Sequence, residues 1–147
     1  MKQILLMIAV VALVGCGGKK ATSEDVPEKL ITNPIIEKAI RKSLKKPTGE
    51  LTKADYEKVT RLILYNKQLT EVPKGLEKLT KLERLHLETN QLTDVTGLEK
   101  LTELTRLNLA SNQLTKLPEG LEKLTQLKSL NLGRNNLTDV QGLEKLP

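Results

Sequence analysis

The chain repeats one spacing of leucines, and this spacing limits it to a small set of folds. Three copies of the pattern L-x-x-L-x-L-x-x-N-x-L begin at Leu82, Leu104 and Leu127, and a less regular copy begins at Val59. Equivalent leucines of successive copies are 23, 22 and 23 residues apart. A unit of this length cannot bury its own apolar face, so the copies must stack around one continuous core. The spacing therefore predicts a stack of four similar units.

This pattern resembles that of the leucine-rich repeat family over residues 59–147. The resemblance implies an α/β fold, a right-handed solenoid of about four repeats whose short L-x-L strands form a parallel concave sheet. The core must be aliphatic, because the chain has no Phe or Trp and only two Tyr. Two copies carry an extra residue in segments 72–76 and 117–121, each with a Pro, which we expect in a convex turn. The L-E-K-L segments are expected to form helical turns whose Glu and Lys point to water.

The asparagine of the pattern is present in three copies, as Asn90, Asn112 and Asn135. The resemblance implies that these side chains are buried and bond the backbone of neighbouring turns, as a ladder. The first copy, LYNKQLT (64–70), has Lys67 there, although Asn66 is next to it. A one-residue shift that used Asn66 would turn Leu62 and Leu64 outward, against their burial. We therefore predict that Lys67 marks the terminal repeat, with its aliphatic stem at the edge and its charge in water.

Residues 31–58 are predicted to form a helical cap. Asn33 is a good helix N-cap and Pro34 suits the first helical position, while Pro47 and Gly49 end the segment. A second short helix is expected from Thr52, which with Asp55 resembles a capping box. Apolar residues recur at helical spacing, as Ile36, Ala39, Ile40 and Leu44. The segment resembles the helical N-terminal cap of bacterial leucine-rich repeat proteins, including the internalins.

The first helix of this cap is rich in basic residues. They are Lys38, Arg41, Lys42, Lys45 and Lys46. A basic amphipathic helix near a lipid anchor suits contact with anionic headgroups. The alternative is the solvated outer face of a capping helix.

The first fifteen residues have the form of an export signal. Lys2 precedes eleven apolar residues, too few to cross a bilayer about 30 Å thick. The run ends in Leu-Val-Gly-Cys at 13–16, which resembles the bacterial lipoprotein signal and implies cleavage before Cys16 and lipidation of its thiol. The alternative is an ordinary signal, or an uncleaved anchor, with a chance Cys. Residues 16–30 read as a flexible tether.

The lipoprotein resemblance implies an exported protein anchored to the bacterial membrane through Cys16. Gly17, rather than Asp, follows the Cys. If the source is Gram-negative, the resemblance then implies the outer membrane.

Alternation along the strands predicts which side chains line the concave surface. The candidate ligand-binding residues are Arg61, Ile63, Tyr65, Arg84, His86, Glu88, Arg106 and Asn108. Stacked Arg side chains would repel one another, and Glu83 and Glu88 are expected to offset part of this. The hypothesis is a basic strip that grips an acidic protein segment or an anionic glycan. The alternative is a set of solvated positions inherited from a repeat consensus.

The sequence contains no catalytic constellation, metal-ligand cluster or cofactor motif. Its single His has no second His or Cys for a metal site, and its formal charge of +6 is spread among interspersed Lys and Glu. We therefore expect no enzyme, metal, cofactor or nucleic-acid partner.

Non-catalytic binding of a protein is the favoured function. The alternatives are a structural envelope protein that binds anionic polysaccharide, and a truncated repeat protein without a ligand. The end at 142–147, inside the fourth copy and without a C-terminal cap, fits truncation, a blunt end, or an end that pairs with a partner.

Overall fold

The computed structural model describes residues 31–139 and 141–145. The predicted signal, Cys16 and the tether lie outside the described residues. Helices α1 (Pro34–Leu44) and α2 (Lys53–Glu57) precede strands β1 (Arg61–Ile63), β2 (Arg84–His86), β3 (Arg106–Asn108) and β4 (Ser129–Asn131). The four strands form one parallel sheet in the order β1-β2-β3-β4.

One short 3-10 helix follows each strand on the opposite side of the coil. These turns are Leu76–Lys78, Leu98–Lys100, Leu121–Lys123 and Leu143–Lys145. The predicted leucine-rich repeat solenoid with a parallel sheet is therefore confirmed, and so are its helical L-E-K turns.

The core is a stack of leucines. In the second coil, the pattern positions Leu82, Leu85, Leu87 and Leu92 are at most 1% exposed, and those of the third coil are at most 2% exposed. The fourth coil has no described coil on its far side, and its Leu130, Leu132 and Leu137 are only partly buried.

Helix α1 begins as its sequence predicts and closes the β1 side of the stack. The Asn33 side chain accepts hydrogen bonds from the Ile35 and Ile36 amides at 2.9 and 3.3 Å. Ile36 and Ile40 are fully buried in the common core, and the Ser43 hydroxyl donates to the Arg61 carbonyl of β1 at 2.8 Å. Such a cover is needed because the end of a repeat stack is otherwise apolar.

Helix α1 ends before Pro47 and Gly49, as predicted. Its C-terminal cap is Lys45, which has φ of +54° and donates its backbone N–H to the Arg41 and Lys42 carbonyls. A left-handed residue of this kind is a common helix terminus, and Pro47 only prevents the chain from continuing.

Helix α2 is held by the predicted capping box. Thr52 Oγ1 accepts from the Asp55 amide, and the Asp55 carboxylate accepts from the Thr52 amide at 2.9 Å. Lys46 Nζ lies 2.7 Å from the same carboxylate. The Lys46 ammonium, followed by the Thr52 amide, holds the pKa of Asp55 well below its ordinary value.

Each ladder asparagine bonds the coil that precedes it. Asn90 Oδ1 accepts from the Lys67 and Leu69 amides, and its Nδ2 donates to the Leu64 carbonyl at 2.9 Å and to the Leu87 carbonyl of its own coil at 2.8 Å. A buried amide needs such partners, and here one side chain satisfies backbone groups of two turns.

The same contacts recur one and two coils later, although Asn135 is only partly buried, rather than buried as predicted, because no described coil covers it. Asn112 Oδ1 accepts from the Leu92 amide, and Asn135 Oδ1 accepts from the Leu114 amide. Their Nδ2 atoms also reach back, to the Leu87 and Leu109 carbonyls respectively.

This direction of bonding explains Lys67. The first coil has α1 on its outer side instead of another turn, so an Asn side chain at position 67 would have no preceding turn to bond. Lys67 is exposed, and its backbone amide is one of the donors to Asn90. Asn66 occupies a left-handed backbone position, with φ of +52°. The equivalent residues of the later coils, Thr89, Ser111 and Arg134, are left-handed as well. Asn adopts this conformation more readily than most residues.

The prolines of the two longer repeats lie in the convex turns, as predicted. Pro73 and Pro118 precede the 3-10 turns and both are buried. The glutamates of L-E-K do not simply point to water, since Glu77 and Glu99 fold back and accept from the amides of Gly75 and Gly97. Glu144 makes the same contact with the Gly142 amide, so carboxylates satisfy amide groups at the start of three of the four 3-10 turns.

The ladder gives a matched test of stability. Asn112→Ala leaves the Leu92 amide and the Leu87 and Leu109 carbonyls without this partner. We expect a loss of about 2–4 kcal/mol in the free energy of unfolding, because buried polar groups are left unsatisfied. Lys67→Ala, which removes only an exposed side chain, should cost less than about 0.5 kcal/mol. Urea unfolding followed by circular dichroism measures both, and equal losses would contradict the ladder account.

The Asp55 site predicts a pH dependence. Because the pKa of Asp55 is lowered in the folded state, the carboxylate contributes stability above its ordinary pKa of 3.8. That contribution is lost progressively as pH falls below 3.8 towards the folded value. Lys46→Met should raise the carboxyl pKa towards 3.8. A carbon-detected NMR titration measures it, with Lys42→Met as the control that leaves the pKa unchanged.

Candidate binding site

The strand pairing gathers the predicted arginines into one column. Arg61 pairs with Arg84, and Arg84 pairs with Arg106, while Ser129 takes the place in β4. Neighbouring strands are about 4.8 Å apart, so the three exposed guanidinium groups follow one another across the sheet. The column is basic in the first three coils and neutral in the fourth.

The expected neutralisation of this column by Glu83 and Glu88 is not what the structure shows. Among residues 31–139 and 141–145, no ion pair joins a carboxylate to Arg61, Arg84 or Arg106. Glu88 lies instead beside His86, with 3.4 Å between Oε1 and Nδ1. The positive charge of the column is therefore left to solvent or to a ligand.

An exposed apolar pair lies beside the arginines in the first coil. Ile63 is 47% exposed and Tyr65 is 49% exposed, and they are the exposed large hydrophobic residues of the described chain. The later coils have His86, Asn108 and Asn131 at the position of Ile63. The apolar pair is thus particular to the first coil and is not a feature of the repeat.

His86 and Glu88 form the polar centre of the second coil. Both are partly buried, and the Glu88 Oε2 atom is buried with no hydrogen-bond partner among the described residues. A carboxylate oxygen without a donor is unfavourable, so Glu88 retains the capacity to accept a hydrogen bond after a small side-chain rotation.

Asn108 is less available than its position in the sequence suggested. Its Oδ1 accepts from the Ala110 amide at 3.1 Å, and Asn131 makes the same bond to Gly133 at 3.0 Å. These asparagines stabilise the bend at the end of their own strands. The structure therefore brings Arg61, Arg84, Ile63, Tyr65, His86 and Glu88 together on β1 and β2, with Arg106 continuing the column and Asn108 engaged with its own backbone.

The described residues contain no group of three or more His, Cys, Asp or Glu side chains that could hold a metal ion. None of the described helices has both the length and the apolar character needed to cross a membrane. The chemistry on the concave surface is that of charge, hydrogen bonding and apolar contact.

Comparison with known proteins identifies the family. The model described as "Leucine Rich repeats (2 copies)" matches residues 57–100 and again 102–145. This chain belongs to the leucine-rich repeat family. No curated protein sequence matches it significantly.

Several solved leucine-rich repeat structures resemble the chain. An internalin (InlF) of Listeria monocytogenes has 29% sequence identity and a TM-score of 0.68, over 85% of this chain and 38% of that one. Internalin C2 of the same organism has 30% identity and a TM-score of 0.68, over 80% of this chain and 53% of that one. A leucine-rich repeat protein of Leptospira interrogans has 35% identity and a TM-score of 0.56, over 60% and 23%. The chain thus spans about half or less of the length of these structures.

The exposed side chains of Ile63 and Tyr65 are predicted to contribute little to the stability of the fold. Ile63→Thr and Tyr65→Ser should each change the free energy of unfolding by less than about 0.5 kcal/mol, because both side chains are half exposed. Leu64→Ala, between them on the buried face, should cost about 2–5 kcal/mol. Thermal and urea unfolding compare the three variants, and a large loss at position 63 or 65 would show that the pair supports the fold.

Proposed function

We propose that this protein is a lipid-anchored module of the bacterial envelope that binds a protein segment with the concave surface of β1 and β2. The observation that carries the proposal is the exposed pair Ile63 and Tyr65 beside arginines with no described ion pair. Leucine-rich repeat domains of the internalin type are typically protein-binding modules, which agrees with this reading.

The chemistry of the surface favours a mixed ligand. Tyr and Arg are enriched among the residues that dominate binding energy in protein interfaces, because both offer large contact area together with hydrogen bonds. An apolar side chain of the ligand would cover Ile63 and Tyr65, and acidic groups would face the arginine column. A ligand N–H would supply the donor that Glu88 Oε2 lacks. A peptide provides all three groups within a few residues.

Anionic polysaccharide is the second candidate, supported by the arginine column alone. A glycan of this kind would be held mainly by charge, so its binding would fall steeply with salt and would depend little on Tyr65. A repeat protein without a ligand is the third reading. The confinement of the exposed apolar pair to one coil argues against it, because an inherited consensus residue would recur in the other coils, which have His86, Asn108 and Asn131 at the position of Ile63.

The anchor is proposed from the sequence alone. The apolar run before Cys16 and the Leu-Val-Gly-Cys junction support export, cleavage and lipidation of the thiol. Two or more acyl chains hold a protein stably at a membrane, whereas one chain holds it only marginally. Display on the envelope would present the concave surface to partners there.

Binding should respond to single changes on the concave surface. We expect Tyr65→Ala and Arg84→Glu each to lower capture of the partner by about tenfold or more, because each removes a central contact. Lys100→Glu makes the same charge change as Arg84→Glu on a convex turn and should have no effect. Quantitative mass spectrometry of proteins captured from the cell surface of the source bacterium measures this. If Tyr65→Ala binds normally while Arg84→Glu fails and capture falls with salt, the polysaccharide reading is favoured.

The anchor is tested by intact mass. Full-length protein expressed in a bacterium should yield a chain that begins at Cys16 and carries added acyl mass, and it should partition with membranes. Cys16→Ser should lack the acyl mass, since serine offers no thiol for thioether formation. A wild-type chain without acyl mass would refute the proposed anchoring but would leave the fold and the concave site unaffected.

A further inference from the structure

The outer face of α1 carries lysines that neither the fold nor the concave site uses. At 100° per residue, Lys38 and Lys42 lie on the side of the helix opposite the buried Ile36 and Ile40, and Lys45, which caps the helix, lines the same groove as these two lysines. All three lysines are exposed. The helix therefore has an apolar face that closes the stack and a cationic face directed away from it.

This cationic face forms an open groove of about 620 Å³. Its lining contains four cations and one carboxylate, a net charge of +3, from Pro34, Glu37, Lys38, Arg41, Lys42, Lys45 and Pro47. Glu37 is engaged with Arg41, since its Oε1 accepts from Nε at 3.0 Å and from Nη2 at 2.9 Å. Within the described residues, the ion pairs include none that involves Lys38, Lys42 or Lys45.

The position of α1 places these lysines at the membrane end of the molecule. The helix lies against β1, the first strand of the sheet, and the chain enters it at Asn33 directly after the tether. Ile31 is fifteen residues from Cys16, and a chain of this length spans at most about 50 Å. The lysines are therefore held near any bilayer that contains the anchor.

We propose that the outer face of α1 docks on the surface of an anionic lipid bilayer, with Lys38, Lys42 and Lys45 against the headgroup phosphates. This proposal takes only the lipid anchor from the proposed function. The charge pattern of α1 is a separate observation that does not depend on the anchor. Lysine stems suit this role, since they lie along a surface while their ammonium groups reach the phosphates. The sheet order β1-β2-β3-β4 would then lead away from the bilayer, with the concave site of β1 and β2 at its membrane end.

A lipid surface fits this face better than a protein segment does. The residues that line the groove include no exposed large hydrophobic side chain. The exposed large hydrophobic residues of the described chain are Ile63 and Tyr65, which belong to the first coil. Three lysines near an anionic surface favour the docked state by on the order of 100-fold at low salt. An extended cationic face held at a bilayer by a short tether needs no further contact to dock.

Lysine footprinting of the acylated protein tests the docking. The mature protein would be reconstituted in phosphatidylcholine vesicles with or without about 30% phosphatidylglycerol, and acetylation of each lysine would be followed by peptide mass spectrometry. We expect acetylation of Lys38, Lys42 and Lys45 to slow by about fivefold or more in the anionic vesicles only, and to recover at about 0.5 M salt. Lys78, Lys100 and Lys123 on the convex turns serve as internal controls and should not change. Equal rates for the α1 lysines in both vesicles would overturn the proposal while leaving the anchor intact.

A matched pair of triple variants separates the α1 face from net charge. The Thr48→Cys variant, labelled with an environment-sensitive fluorophore, reports on the surface next to the groove. The native Cys16 would be acylated, so only the thiol at position 48 would react with the label. On anionic vesicles the emission of the fluorophore should shift to the blue in the labelled protein without further changes. The same shift is expected in the control triple variant, in which Lys78, Lys100 and Lys123 are changed to Gln. The shift should be lost when Lys38, Lys42 and Lys45 are changed to Gln. Equal loss in both triple variants would show that net charge, rather than this face, attracts the bilayer.

If intact mass shows that the protein is not acylated, the two proposals separate further. Flotation of the full chain with phosphatidylglycerol vesicles then compares the two triple variants directly. Docking without the anchor would be supported if the convex-turn triple variant floats with the vesicles in a salt-sensitive way and the α1 triple variant floats less. Identical flotation of both would refute it.

Discussion

The structure depends on one kind of contact, the hydrogen bonds by which an asparagine of the second, third and fourth coils joins its coil to the coil before it. A tight turn inside an apolar stack has backbone amides and carbonyls that water does not reach, and leaving them unpaired would offset much of the gain from burying the leucines. Asn112 supplies the missing donor and acceptor with a single side chain. Because the turns are fixed in this way, the strands keep their register and the leucines remain in layers.

Fixed register has a consequence for function. Every side chain on the concave surface has its equivalents directly beside it in the neighbouring coils, so charges and apolar groups are arranged in columns. The exposed column residues that make no backbone hydrogen bond, unlike Asn108 and Asn131, are expected to contribute little to stability, which leaves them to be selected for binding. The first coil uses this freedom most, through Ile63 and Tyr65. The ends of the stack differ, because an end coil has a neighbouring coil on one side only. At the β1 end, a helix with one apolar face and one cationic face takes the place of a coil.

Much of this could be predicted from the sequence, because the repeat spacing determines which residues are buried. The L-x-x-L-x-L pattern places Leu85 and Leu87 in the core, and alternation then places Arg84 and His86 on the surface. The caps of both helices could also be predicted, since Asn33 and Thr52 act through atoms only two or three residues away. Local chemistry and strict periodicity are the features that a single sequence expresses most clearly.

Other features depend on contacts that the sequence does not express. The turn of Glu77 onto the Gly75 amide, the inward packing of Pro73 and the pairing of Glu88 with His86 are set by rotamers and by the path of the convex loops. Glu88 was expected to offset part of the charge of the arginine column, but its carboxylate lies beside His86 of its own coil. The availability of Asn108 likewise depends on a bond to its own backbone that alternation cannot predict. For these reasons the surface could be located from the sequence, but its charge balance could not.

The central claim is that the concave surface of the first two coils is where a partner binds. Site-specific photocrosslinking in living cells of the source bacterium tests it most directly, with a photoreactive amino acid at position 63, at the equivalent position 131 of β4, or at convex position 100. We expect one discrete crosslinked product from position 63, and none from positions 131 and 100. A product that forms equally from all three positions, or from position 100 alone, would contradict the claim.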